Sequence, residues 1–308
     1  MTARPDPIRI YVGADRSQML AFKVLAHSIR ARSERRVEIA PLIDLDLPEP
    51  ADPRQRARTG FSFARFAIPA LAGRQGHAVY LDADMLVLKD IADLWSLPLN
   101  GAKVMCQEAP PEHIAATAPK PGARRRKQCS VMLLDCAALD WDASEIIAGL
   151  GPAYTYEELL DDLYIVNERD VSYAIPTAWN SLEHLGDDTC LIHYTDMMTQ
   201  PWVFAGNRNG WAWVGELRRM VASGAIGLDE IEAEIAAGFV RPSLTKELAL
   251  PEGPPCAEQT AELGALDGRA GFRAHAGLRP DGLRARAAEF IRRAAARMRP
   301  FASPKSTG

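Results

Sequence analysis

HAVYLDADMLVLKDIADLW, residues 77 to 95, places two carboxylates at the end of an apolar run. Ala78, Val79, Tyr80 and Leu81 read as a short buried strand, Asp82 and Asp84 follow, and apolar side chains resume at Met85. Unpaired charge is costly at the end of a core strand, so these acids need a partner or a crevice. In open α/β sheets ligands sit beyond the carboxyl ends of the strands. Two carboxylates there suit a hard divalent cation, Mg²⁺ or Mn²⁺, with positions left open for phosphate oxygens. An N-cap beside a surface acid is the structural alternative.

Working outward, IRIYVGAD (8–15) is strand-like and ends in an acid, and QMLAFKVLAHSI carries Met19, Phe22, Leu25 and Ile29 at helical spacing. VEIAPL (37–42) alternates as a second strand, and IDLDLPEPADPRQRARTG reads as a loop. FSFARFAIPALAG predicts a helix that ends at Gly73, with Pro69 marking a kink or its first turn. AKVMC (102–106), CSVMLLD (129–135), VSYAI (171–175) and TCLIHY (189–194) predict further strands. Strands alternating with helices argue for an α/β layered domain with a mostly parallel sheet. His193 then projects from the same sheet edge as Asp82 and Asp84.

The chain has 308 residues, 47% hydrophobic and 25% charged, with a net charge of -4. Those values fit a globular protein and supply no basic field for nucleic acid, so no nucleic-acid partner is expected. Five cysteines (Cys106, Cys129, Cys136, Cys190, Cys256), an odd number without CxxC spacing, argue against a disulfide framework or a structural zinc site. Neither a signal-like h-region nor a membrane-length apolar run is read, so a cytoplasmic setting is expected.

IYVGADRSQMLAFKVLAHSI, TGFSFARFAIPALAG, YLDADMLVLKDIADLW, CSVMLLDC, AWN and HYTDMMTQPW occur in that order. Over approximately residues 8–215 this set resembles retaining glycosyltransferases related to family 8, the family of glycogenin and the bacterial lipooligosaccharide galactosyltransferases. The resemblance implies a GT-A type fold, one Rossmann-like α/β/α domain, and a nucleotide-sugar donor, a UDP-hexose by default, with transfer to the hydroxyl of a glycan, lipid-linked or other acceptor. It implies that Asp82, Asp84 and His193 hold Mn²⁺ (or Mg²⁺), and that Val12, Ala14 and Asp15 receive base and ribose. Arg65 lies near the donor and the first acid, and Ser130 at a donor-sugar contact. Gln200 and Asp196 stand where the family has a glycine and a lysine on the diphosphate. Gln18 replaces a base-stacking tyrosine of some relatives. Asp82, Asp84 and Arg65 are thereby the catalytic candidates.

Two other readings compete. Haloacid-dehalogenase-like phosphatases also follow an apolar strand with Asp-x-Asp, the first acid being the nucleophile, but they carry threonine where this chain has Leu86. A protein that binds nucleotide sugars without turnover is the third. Glu157, Glu158, Asp161 and Asp162 are the nearest further acids, and Arg124, Arg125, Arg126 and Lys127 form a basic run, a solvated loop or a diphosphate contact. Residues 1–215 are expected to form the catalytic domain and 216–308 a helical extension. Within that extension residues 251–282 read as loop, and the end as a basic amphipathic helix that can touch an anionic membrane peripherally or bind a partner.

Overall fold

The computed structural model describes residues 6–57, 59, 61–109 and 126–276. In chain order the elements are β1 (Ile8–Gly13), α1 (Met19–Arg32), β2 (Val37–Leu42), α2 (Ile68–Leu71), β3 (His77–Asp82), β4 (Met85–Val87), α3 (Ala92–Trp95), β5 (Val104–Glu108) and β6 (Lys127–Asp135). They continue with α4 (Ala143–Ala148), α5 (Tyr156–Leu160), β7 (Val171–Ser172), β8 (Ser181–Leu182), β9 (Leu191–His193), α6 (Gly210–Ser223), α7 (Leu228–Ala236), α8 (Leu244–Leu248) and α9 (Ala257–Arg269).

Six strands form the central sheet in the order β2-β1-β3-β6-β5-β7. Parallel pairing joins β2, β1 and β3, and β5 with β7, while β6 runs antiparallel to both neighbours. Because side chains alternate along a strand, each strand feeds two cores. Ile8, Ile10, Val12, Val79, Leu81, Val131 and Leu133 pack with Leu25 and Ile29 of α1. On the other face Ala78, Tyr80, Met132 and Leu134 pack with Phe66, Trp141 and Ile147. This is the mostly parallel α/β layering that the strand–helix alternation predicts.

A second sheet, β4-β9-β8, has three strands. It sits with a third core, in which Leu20 and Val24 of α1, Leu86, Ile192, Trp202, Trp213, Leu217, Ile231 and Leu244 meet. The C-terminal helices therefore share apolar packing with the α/β layers through α1. Fully buried Glu216 of α6 joins His27 at 2.5 Å and Arg32 at 2.9 Å on α1, a polar pin between the two helices.

Several local expectations change. Residues 61–73 do not make one long helix. Ala64–Ala67 is a 3-10 turn and α2 is a single turn with Pro69 in its first positions. The strand expected at 171–175 keeps only Val171 and Ser172, paired with β5 at the sheet edge, and Pro176 beyond it has no N–H to carry the ladder on. Residues 257–269, expected as loop, form α9. Gly264 and Gly268 weigh against a helix, yet Cys256 and Gln259 form a capping box, Leu263 is buried, and Asp267 accepts from Ser243 N at 2.7 Å. Tertiary anchoring overrode two glycines. The basic terminal stretch, with Arg124 and Arg125 of the basic run, lies outside the described residues.

Candidate functional site

The two acids stand where the chain leaves one sheet for the other. β3 ends at Asp82, Ala83 and Asp84 make a bend, and β4 starts at Met85 in the small sheet. Gly13 at the end of β1 is register partner of Asp82, and its carbonyl accepts from Ala83 N at 3.0 Å. A Cβ at Gly13 would overlap the Tyr80 hydroxyl and come within 2.7 Å of the Phe61 ring. Only glycine permits that approach.

His193 arrives by a route that differs from expectation. It does not project from the edge of the central sheet but ends β9 in the small one, antiparallel to β4, with His193 opposite Met85. The Tyr194 amide donates to the Asp84 carbonyl at 2.8 Å and locks that register. As a result Asp82, Asp84 and His193 each present a ligand atom within 4.8 Å of the others.

The hydrogen bonds around these groups leave an open donor set. His193 Nδ1 lies 2.9 Å from Asn180 Oδ1. Because an amide oxygen accepts, Nδ1 carries a proton, and in the neutral ring the Nε2 lone pair faces Asp84. Nε2 sits 3.1 Å from Asp84 Oδ1, yet that buried oxygen makes no hydrogen bond. The other oxygen, Oδ2, accepts from Gln200 Nε2 at 2.9 Å. A buried carboxylate oxygen with no hydrogen-bond partner, 3.1 Å from an imidazole nitrogen that is a ligand in its neutral form, fits a divalent cation between them. Two carboxylates with one imidazole suit Mn²⁺ or Mg²⁺.

Asp82 is tied back differently. Its Oδ1 accepts from the Tyr80 hydroxyl at 2.5 Å and lies 3.5 Å from Arg65 Nη2. Arg65 is buried, stacks over the Tyr80 ring at 4.4 Å, and donates Nη1 to the Cys129 carbonyl at 2.8 Å. Burial disfavours the guanidinium charge, but Tyr80 and Asp82 favour it more, so its pKa is raised. For His193 burial likewise works against the imidazolium, and the carboxylates of Asp84, then Asp82 and Glu183, outweigh it and raise the pKa. Burial raises Glu183 itself.

The other predicted residues are placed less uniformly. Val12 and Ala14 turn their side chains into the core beside α1, so only their backbone can meet a ligand. Asp15 accepts from Ser17 N at 2.9 Å and from Ser17 Oγ at 2.5 Å, capping the turn before α1. Ser130 donates Oγ to Gln128 Oε1 at 3.2 Å and precedes Val131, the register partner of Leu81, at the same end of the sheet as Asp82. Gln200 is brought to Asp84. Gln18 is buried with its Oε1 unpaired. Among the acids of 157–162, Glu158 closes the capping box of α5, while Asp161 and Asp162 pair with Arg126. Lys127 pairs with Glu168 at 3.0 Å. Leu86, where a phosphatase of the dehalogenase type has its threonine, is fully buried in the third core.

Sequence reading underrated Tyr80 and Asn180. Tyr80 looks like any strand aromatic, and Asn180 stands in the sequence only as part of the AWN segment. Their roles follow from contacts across |i−j| = 2 in the strand and |i−j| = 13 across the small sheet.

Comparison with known proteins bears on the same segment. Residues 16–131 match the family model "Glycosyl transferase family 8". Protein CDI of Arabidopsis thaliana is 39% identical over 109 residues, which cover 34% of this chain and 42% of that protein. The chain thus matches less than half the length of this curated relative. Among solved structures it is similar to the WbbM bifunctional glycosyltransferase, with a TM-score of 0.48 at 12% identity, covering 70% of this chain and 50% of that one. It is also similar to the galactosyltransferase LgtC in complex with donor and acceptor sugar analogues, with a TM-score of 0.46 at 14% identity over 68% and 95% of the two chains. From residue 16 to residue 131, a span that holds α1, both acids and Ser130, the chain resembles glycosyl transferase family 8.

Proposed function

We propose that the protein is a metal-dependent glycosyltransferase that moves a sugar, by default a hexose from a UDP donor, to an acceptor hydroxyl with retention at the anomeric carbon. One observation carries the reading. Asp82, Asp84 and the Asn180-oriented His193 converge on one point at the carboxyl end of β3, inside and beside the family-matched segment.

In this reading Asp82, Asp84 and His193 hold Mn²⁺, or Mg²⁺, by two carboxylate oxygens and Nε2. A bound divalent cation would offset the negative charge that gathers on a departing diphosphate, a contribution of several kcal/mol. Arg65, kept charged and fixed by the Cys129 carbonyl, adds positive potential on the Asp82 side. Gln200 holds Asp84 Oδ2 and so directs Oδ1 inward. The backbone at Val12, Ala14 and Asp15, together with Ser130, borders the same strand ends and would take the nucleotide and the sugar. The acceptor hydroxyl attacks on the face the diphosphate leaves, and no protein nucleophile is assigned.

Residues 1–215 are taken as the catalytic domain and 216–308 as a helical extension. No described helix is long and apolar enough to cross a membrane. The manganese preference, a cytoplasmic setting and a peripheral contact of the basic terminal stretch with anionic lipid rest on sequence pattern and belong to the same proposal.

Incubation with Mn²⁺ and a panel of nucleotide sugars tests the reading. Metal-dependent binding and slow donor hydrolysis are expected. Binding without any turnover, with or without acceptors, would leave a non-catalytic sugar-nucleotide binder. Phosphate release from monoesters through Asp82 would put the phosphatase reading in its place.

A further inference from the structure

Gln200 touches Asp84, and the loop that carries it is held on two sides. Near the acids Glu183 Oε1 accepts from the Asp196 amide at 2.9 Å, and Asn207 Nδ2 donates to the Thr199 carbonyl at 2.7 Å. The hold on Pro201 and Trp202 comes from the C-terminal helices. Arg241, only 1% exposed, donates its backbone N–H to the Trp202 carbonyl at 2.8 Å and its Nε to the Pro201 carbonyl at 2.9 Å. The rest of the fork is spent on the extension itself, with Nη1 on Ser243 Oγ at 2.6 Å and Nη2 on the carboxylate of Glu247 in α8. Ser243 in turn donates Oγ to Asp267 of α9 at 2.8 Å. A second strap, His275 Nε2 at 2.7 Å from the Met197 carbonyl, holds the other end of the same loop.

Between these straps Gln200 is fully buried. Its amide splits between Asp84 Oδ2 at 2.9 Å and the Tyr194 carbonyl at 3.1 Å, while Oε1 has no partner. A buried amide with an unsatisfied oxygen is costly even when both its N–H groups are bonded. The backbone of Pro201 and Trp202 helps to keep it there, and Arg241 holds both carbonyls.

We infer that Arg241 is a positioning residue for the cation site, acting through Pro201 and Gln200 on the Asp84 carboxylate, so that the helical extension forms part of the metal centre. The inference rests on the metal reading above. It predicts that the extension affects metal affinity without supplying a ligand. Arginine is required because its planar fork serves Pro201, Ser243 and Glu247 together, which a lysine ammonium at one point does not.

The test is Mn²⁺ titration of the metal-free full chain, alone and without donor, followed by electron paramagnetic resonance of free Mn²⁺. Arg241→Lys keeps a charge for Glu247 and is expected to weaken Mn²⁺ binding about tenfold, the lower range for outer-shell partners. Gln200→Ala is expected to do the same. If Arg241 acts through Gln200, the double variant binds no more weakly than the weaker single one, because the effects share one path. Glu247→Gln, a milder release of the same fork, provides the measurement should the lysine variant fail to fold, with a smaller loss that vanishes in the Gln200→Ala background. Unchanged Mn²⁺ affinity in a folded variant, or losses that simply add, overturns the positioning role and leaves the metal site standing. Absence of Mn²⁺ binding by the unaltered chain overturns the metal reading and the positioning role with it.

Discussion

Asn180 Oδ1 stands 2.9 Å from His193 Nδ1, and this contact decides which ring nitrogen faces Asp84. Both residues are buried. Asn180 closes the 3-10 turn Thr177–Asn180 just before β8, and β8 pairs with β9, whose last residue is His193. Replacing Asn180 with Ala frees the imidazole to change tautomer. We expect about a tenfold loss of Mn²⁺ affinity with the apo melting temperature lowered by only a few degrees, read by metal titration and calorimetry. A large stability loss with unchanged metal affinity would make the pair purely structural.

Asp84→Asn should abolish donor turnover, lowering it at least ~100-fold, while the apo fold persists. Asp84 Oδ1 makes no hydrogen bond that the amide would lose. Asp82→Asn should match it in activity and cost more stability, since Asp82 alone takes the Tyr80 hydroxyl and faces Arg65. Retained turnover in Asp84→Asn sinks the metal-site reading.

His193→Ala should raise the Mn²⁺ concentration needed for half-maximal activity. The pH dependence has a definite sign. Burial opposes the imidazolium but Asp84 and its neighbours raise its pKa, and a ligating imidazole must be neutral. Mn²⁺ affinity therefore falls as pH drops through a value above the ordinary histidine figure of about 6.5. In the metal-free protein the same raised pKa adds stability that is full below the unfolded value and is lost as pH rises through the folded one. Affinity that stays flat from alkaline pH down to about 6 counts against ligation by this histidine.

Glu216 offers a prediction remote from the site. Burial raises its pKa, but hydrogen bonds from Arg32, Arg219 and His27 outweigh that and lower it. Its folded pKa is depressed, so it contributes stability that is present above the unfolded value and lost as pH falls through the folded one. Glu216→Leu leaves Arg32 and His27 facing an apolar side chain and should cost about 3–5 kcal/mol. The pH dependence of unfolding below about 4.5 should flatten in the variant. An unaltered acid limb in urea titrations would remove Glu216 from this role.

Gly13→Ala tests the close approach of β1 to β3. The added methyl displaces the Tyr80 hydroxyl or the Phe61 ring, a cost of about 1–3 kcal/mol for an overpacked site. Because Tyr80 holds Asp82, donor turnover should fall as well. A variant with native stability and full activity would show that the strand ends have room to spare.

Much of this protein is legible in residue order alone. β1, β2, β3, β6 and α1 follow from periodicity, since each side chain's burial there depends on its own place in a repeat of two or about 3.6. The acids at 82 and 84 announce themselves because charge at the end of a buried strand demands a partner. Tertiary structure alone decided the rest. α9 forms because Leu263 finds a core and Asp267 finds Ser243, partners that local propensity does not register. His193 meets Asp84 through a second sheet that no pattern predicts, because β4 and β9 have three residues each and carry almost no periodicity. Asn180 and Arg241 gain their roles only from what they touch, and Gln200, expected on the diphosphate, gains its hold on Asp84 in the same way. A hydrogen bond is set by distance and direction between atoms, and an amide or guanidinium in a sequence carries neither.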